Sequence, residues 1–340
     1  MQKVRSGGKL VNAETLRLGS RRSPMAVSQS GDVARLLTER TGRRVEIVGV
    51  TTLGDVSREQ LTQIGGTGVF VSALRESLLR GEVDFAVHSL KDLPTGAAAG
   101  ITLAAIPPRD DPRDALVARD GAKLADLPAG ARIGTGSPRR AAQLALLRSD
   151  VTAVPIRGNA NTRLAKVRDG ELDAVVLAYA GLARIGHTDV VSEIFEPDDM
   201  LPAPGQGALA VECRTEDGEL AALLATIDHP ATRAAVTAER SLLAALEAGC
   251  SAPVGGYATA LAGSDRLHLS GVVLGVQAAS FSSGVLDAGR AAVRMVVRER
   301  GEADAADAVR LGRELAARML ALGAADLMRG ENTDRNDAHD

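Results

Sequence analysis

Two stretches of this chain, LRLGSRRSP (16–24) and ARIGTGSPRR (131–140), share one plan: a short β-rich run, a glycine turn, a Ser-Pro pair and two adjacent arginines. A strand that turns on glycine and enters a helix at Ser-Pro is the opening of a βαβ unit. Serine caps the free N–H groups, and proline starts the helix with its φ already set. Because the plan occurs twice, the chain is confined to an α/β architecture with two similar halves. Each half offers a helix N-terminus, where unpaired N–H groups and the helix dipole attract an anion.

The surrounding text continues the pattern. Runs at 16–19, 45–52 and 83–87 read as strands, with helical stretches from about residues 24 and 69 between them. The alternation restarts with strand-like runs at 131–135, 151–156 and 174–178, and with helical stretches after Pro138 and over 162–168. After Phe195 the text EPDDMLPAPGQGALAVECR is rich in Pro and Gly and then strand-like, as expected of a hinge that returns the chain to the first sheet. From about Asp228 a third pattern begins: a helix over 231–246, the loop AGCSAPVGG, strand-like runs from 257 to about 281, and an amphipathic helix from about 303 to 327. At 340 residues the chain exceeds one hydrophobic core, so about two or three domains are expected. The expected division is a first α/β lobe over 15–107 with 208–226, a second over 113–201, and a smaller α+β domain over 230–327. The tails 1–14 and 328–340 are expected to be disordered.

The formal charge is -3, so the arginines of SRRSP (20–24), GTGSPRR (134–140) and RGNANTR (157–163) form a local anion trap and not part of a generally basic surface. Two arginine-bearing helix starts on facing lobes bound a cleft beyond the carboxyl ends of the strands. A polycarboxylate or a phosphate-like ligand suits it; alternatively, the arginines pair with nearby surface acids. With no Trp, two Tyr and four Phe on a mildly acidic chain, nucleic acid is a poor partner. The five histidines are scattered, and neither they nor the two cysteines show zinc-ligand spacing. No apolar run is long enough for a membrane span, and the few cysteines suit a reducing compartment, so a cytoplasmic protein is expected; the lack of a large apolar stripe makes the expected state a monomer.

Three further residues invite chemistry. HSLKD (88–92) follows the apolar run VDFAV and so places Lys91 and Asp92 at a strand's carboxyl end. Asp92 can serve as acid, base or counter-ion, and Lys91 as a carboxylate ligand or, desolvated, as a Schiff-base amine; a simple surface pair is the alternative. Cys213, in the alternating run ALAVECR, reads as a small buried apolar residue. Cys250 differs, because Gly249 and Pro253 confine it to a turn that can present its sulfur to a cleft.

The ordered set SRRSP, IGGTGVF, AVHSLKDLP, DPRDA, GTGSPRR, RGNANTR, LAYAGLARIG, LPAPGQGALAVECR and TAERSLLAALEAGCSAPVG closely resembles the porphobilinogen deaminase (hydroxymethylbilane synthase) family over nearly the whole chain. The resemblance implies two periplasmic-binding-protein-like α/β lobes with hinge crossings and a smaller α+β C-terminal domain. It implies a transferase that joins four porphobilinogen molecules head to tail, with loss of ammonia, on a dipyrromethane cofactor linked by a thioether to Cys250. Asp92 is then the catalytic carboxylate, which with Cys250, Lys91, Thr135, Ser137, Arg139 and Arg140 surrounds the cofactor. Arg21, Ser23, Phe70, Arg157 and Arg163 hold the substrate. The product would pass to uroporphyrinogen-III synthase. Two departures stand out: Thr67 occupies the place of a frequent lysine, and Gly136 that of a frequent serine. Two rival readings are a two-lobed anion-binding or effector-sensing protein without catalysis, and a pyridoxal phosphate enzyme with Lys91 as the Schiff base.

Overall fold

The computed structural model describes residues 15–50, 68–248, 252–275 and 295–329. The chain begins with β1 (Leu16–Ser20), α1 (Pro24–Thr41), β2 (Val45–Gly49), α2 (Gly68–Leu79), β3 (Phe85–Ser89) and β4 (Ile101–Ala105). It continues through β5 (Asp114–Ala118), β6 (Arg132–Thr135), α3 (Pro138–Leu147), β7 (Thr152–Pro155), α4 (Ala160–Arg168), β8 (Ala174–Ala178), α5 (Tyr179–Arg184) and β9 (Glu193–Ile194). It then returns through β10 (Leu209–Arg214) and α6 (Gly218–Leu224).

Two five-stranded sheets result, ordered β2-β1-β3-β10-β4 and β7-β6-β8-β5-β9. In each, three strands are parallel, and a fourth is inserted antiparallel beside the third. The inserted strand is where the lobes exchange chain: β10 enters the first sheet after the second lobe, and β5 opens the second sheet after the first. The central strands are buried on both faces, which is why ALVA and AVVL read as unbroken apolar runs. Phe85, one of four phenylalanines, is fully buried in the first lobe, and such burial contributes about 1.5–3 kcal/mol.

The third unit is an antiparallel sheet of β11 (Val254–Ala260), β12 (Arg266–Leu274) and β13 (Val296–Asp304), covered by α7 (Pro230–Ala245), α8 (Ala308–Ala321) and α9 (Ala324–Arg329). Here the structure corrects the sequence expectation. The expected helix from about 303 is strand as far as Asp304, because the alternating VVRERGEAD pairs with β12 along its whole length, with Arg298, Arg300, Glu302 and Asp304 exposed and Val297 and Ala303 buried. The helix itself breaks after Ala321, where Gly323 takes φ 91 before α9 resumes. The strand-like runs expected from 257 are the hairpin of β11 and β12, which begins three residues earlier at Val254, and the far end of the expected stretch lies outside the described residues. In the first lobe, β3 is displaced from 83–87 to 85–89, because Asp84 instead bonds the backbone and side chain of Arg17 on β1.

Candidate active site

At the carboxyl end of β3 the chain enters a 3-10 turn, Leu90–Asp92, that presents Lys91 and Asp92. Leu90 and Leu93 are buried and anchor this turn, and the Leu90 N–H donates to the Ala208 carbonyl at 3.0 Å. Beneath the strand, the Arg75 guanidinium grips Glu212 at 2.7 and 2.9 Å, and the His88 ring lies 3.3 Å from the same carboxylate. Burial raises the pKa of Glu212, but Arg75 and His88 outweigh it and hold the carboxyl at about 2. The support under the turn therefore stays ionised throughout the neutral range.

In the second lobe, β6 ends at Thr135 and α3 begins at Pro138, capped by the Ser137 hydroxyl, which accepts from the Arg140 N–H. Thr135 is buried, and its hydroxyl accepts from the Ser137 N–H at 3.2 Å. The Gly136 departure has a local cause. A Cβ there would stand 2.8 Å from the Ile156 carbonyl oxygen, so a serine requires that backbone to move.

Arg139 and Arg140 fall in the first turn of α3, are 3% and 6% exposed, and both bond Asp114 at the start of β5. Arg139 donates to Asp114 Oδ2 at 2.8 Å and to the Leu201 carbonyl at 2.6 Å. Arg140 donates to Asp114 Oδ1 at 2.7 and 3.0 Å and to the Val176 carbonyl. Burial opposes ionisation of Asp114, yet the two guanidiniums overcome it and hold its carboxyl below the usual range. The chain crosses between the lobes twice, over 106–113 and 195–208, and Gln206, in the second crossing, joins the lobes here. Its amide N–H donates to Asp114 and to the Pro112 carbonyl, and its oxygen accepts from Lys91 at 3.2 Å.

Among the described residues the cluster holds more cations than carboxylates. Two guanidiniums and one ammonium face Asp114 and Asp92, and the Arg139 Nε is buried without a hydrogen-bond partner there. Burial, with Arg140 alongside, pushes the Lys91 ammonium down to about 8. Burial and then Arg140 likewise depress Arg163, whose Nε donates to the Gly158 carbonyl. A dianionic or polyanionic ligand would relieve all of these groups at once.

The remaining predicted residues are placed as follows. Arg21 is half-buried in the bend between β1 and α1, and Ser23 caps α1 by accepting from the Ala26 N–H. Arg157 is exposed just before α4, whose N-cap is Asn159. Phe70 lies in the first turn of α2. The Phe70 side chain, Thr67 and Cys250 lie outside the described residues. The structure thus brings Lys91, Arg139 and Arg163 each within electrostatic reach of Arg140, with Thr135 and Ser137 on the loop that leads to it. Asp92 is half-buried beside Lys91 and, unlike Asp114, takes no arginine partner among the described residues.

Sequence reading missed several groups that shape the site. Asp114 and Gln206 stood within quoted motifs, DPRDA and PGQG, and a lone acid or amide beside a buried strand start was the available signal. Arg184, at the end of α5, bonds Asp110 and the Gly207 carbonyl in the two crossings. Arg109 forms a fork with fully buried Glu239 of α7, which also accepts from the N–H groups of Gly205 and Ala258. Among the described residues no His/Cys/Asp/Glu group could hold a metal ion, and no helix is long and apolar enough to cross a membrane.

A family model described as porphobilinogen deaminase, dipyromethane cofactor binding domain, matches residues 16–222, and one described as porphobilinogen deaminase, C-terminal domain, matches 233–321. The porphobilinogen deaminase of Thermobifida fusca is 61% identical over 310 residues, covering 91% of this chain and 94% of its own. Porphobilinogen deaminase 1 of Streptomyces coelicolor is 58% identical over 326 residues, covering 93% and 98%. Among solved structures, the methionine binding protein MetQ overlaps 63% of this chain and 89% of its own, at 10% identity and a TM-score of 0.42.

Proposed function

The chain belongs to the porphobilinogen deaminase family, and from that premise we propose which of its residues perform the reaction. Its activity is that of a porphobilinogen deaminase in tetrapyrrole biosynthesis, with a dipyrromethane cofactor. The rival readings of a passive anion binder and a pyridoxal enzyme are set aside. In the proposal, Cys250 carries the cofactor through a thioether, and Lys91, Thr135, Ser137, Arg139 and Arg140 hold its carboxylates. The observation that carries this assignment is the excess, among the described residues, of cations over the carboxylates of Asp114 and Asp92, with the Arg139 Nε buried and lacking a hydrogen bond. A cofactor bearing several carboxylates fits that set of donors.

When bound, dipyrromethane supplies the pyrrole carbon to which substrate units are added, and it keeps the growing chain tethered. Everything else falls to side chains. Arg21, Ser23, Phe70, Arg157 and Arg163 are assigned to porphobilinogen, whose acetate and propionate groups suit guanidinium forks. Loss of ammonia leaves positive charge on the pyrrole of porphobilinogen, and a carboxylate fixed beside that charge lowers the barrier electrostatically. Asp92 is proposed for this role, because it lies half-buried in the turn and is not neutralised by an arginine among the described residues. Lys91, with its ammonium at about 8, can both grip a carboxylate and exchange a proton near neutral pH.

The test is the intact mass of the purified protein beside its Cys250→Ser variant. The parent is expected to be heavier than its sequence by one dipyrrole and the variant to carry no such addition. An unmodified mass in fully active protein rules out the tether.

A further inference from the structure

The turn that presents Lys91 and Asp92 is also held from the third unit. Arg240 of α7 donates from one guanidinium nitrogen to the Leu93 carbonyl at 2.8 Å and to the Leu90 carbonyl at 3.4 Å, and from the other nitrogen to the Pro94 carbonyl at 2.7 Å. The Leu93 and Pro94 carbonyls lie on the C-terminal side of a 3-10 turn, where Pro94 has no N–H to offer, while the Leu90 carbonyl at its start also accepts from the Leu93 N–H at 3.1 Å. One turn earlier on α7, at the i, i+4 spacing that puts side chains on one helix face, Val236 packs into the same buried cluster as Leu90 and Leu93. The neighbouring Glu239 binds Arg109 of the first crossing and Gly205 of the second. The same stretch of α7 therefore grips both crossings and the Asp92 turn, a few residues before the segment that contains Cys250.

From this geometry we infer that Arg240 is a positioning residue: its fork on the 90, 93 and 94 carbonyls sets where the Asp92 carboxylate stands. The inference rests on the proposed role of Asp92. A planar guanidinium fits the task because its two nitrogens reach separate carbonyls in fixed relation, whereas an ammonium can bond them only as a point. None of these bonds involves a substrate-binding group. Loss of the fork should therefore change the rate of the chemical step and leave substrate affinity alone.

The experiment is a double-mutant cycle on cofactor-loaded enzyme, verified by intact mass, with Arg240→Met, Asp92→Asn and the two combined, and with Arg240→Lys beside them. Arg240→Met is expected to lower kcat by about 10- to 100-fold, the scale on which small misplacements act, with KM for porphobilinogen within about 2-fold of the parent. Arg240→Lys should recover part of the loss. In the Asp92→Asn background, Arg240→Met should add almost nothing. Unchanged kcat in Arg240→Met, or losses that multiply in the double variant, would overturn the inference while leaving Asp92 in its role. Near-normal turnover in Asp92→Asn would instead remove the reading on which it rests. If Arg240→Met does not fold, Arg240→Lys carries the test: lower kcat at constant KM supports the inference, and parental kcat refutes it.

Discussion

The two lobes share a strand-turn-helix plan, yet they leave its arginines in different states. In the second lobe the arginines follow Ser-Pro, enter the first turn of α3 and are buried against Asp114. In the first lobe they precede Ser-Pro, with Arg21 half-buried and Arg22 exposed along Gly49. The contrast continues across the sheet. Asp114 opens the inserted strand β5 and pairs with Ala178, the last residue of β8, whereas Leu209 opens β10 and pairs with Ser89, the last residue of β3. A repeated motif thus prescribes a helix start, and one acid on the adjoining strand decides whether the arginines become part of the interior.

The strongest way to break this comparison is Asp114→Asn. It leaves two buried guanidiniums without their carboxylate, and a loss of about 3–5 kcal/mol in unfolding free energy is expected from denaturant titration. An unchanged midpoint would mean that Asp114 is not the anchor. Next comes the paired comparison of Arg139→Met and Arg21→Met. The first removes the arginine partner of Asp114 Oδ2, while the Leu201 carbonyl keeps the Gln143 amide, and should cost about 1–3 kcal/mol; the second should cost at most about 1 kcal/mol. Equal losses would erase the distinction between the lobes.

A third test concerns Lys91, which faces the second-lobe cluster from the first lobe. Its folded-state pKa, about 8, lies below the ordinary 10.5. Between these values the unfolded chain binds the proton and the folded chain does not, so stability should rise with pH across that window. Thermal unfolding at a series of pH values should show the slope in the parent and a flatter profile in Lys91→Met; parallel profiles would contradict the assignment. The smallest effect is at the caps. Ser23→Ala should cost about 1 kcal/mol, and Ser137→Ala less, because the Ser137 bond is 3.5 Å long against 3.3 Å at Ser23. The reverse order in thermal unfolding would count against reading the two caps by their lengths.

Much of this was legible in the sequence. Ser-Pro after a glycine turn located both α1 and α3 at their first residues, and apolar runs located β6 and β8 closely. The short strands β4, β5 and β9 escaped, β4 and β9 because they carry no distinctive period and β5 because its apolar run is only four residues long, and β13 escaped because its charges resemble those of an exposed helix face. At the site, types of residue were readable and pairings were not. GTGSPRR showed two arginines at a helix start, but that they would meet Asp114 and Gln206 depends on strand order, which brings together residues far apart in the chain. Arg240 gave no local signal for its hold on the Asp92 turn, since the acceptors there are backbone carbonyls.

The insertion of β10 between β3 and β4 also governs how the molecule can be made. On the ribosome, the strands of the first sheet emerge first, but a slot remains in that sheet until residues 209–214 have been synthesised. The second lobe can close in the meantime, so the earlier-made half matures later. A chain cut short before Leu209 is left with two open strand edges, the condition that invites association between nascent copies.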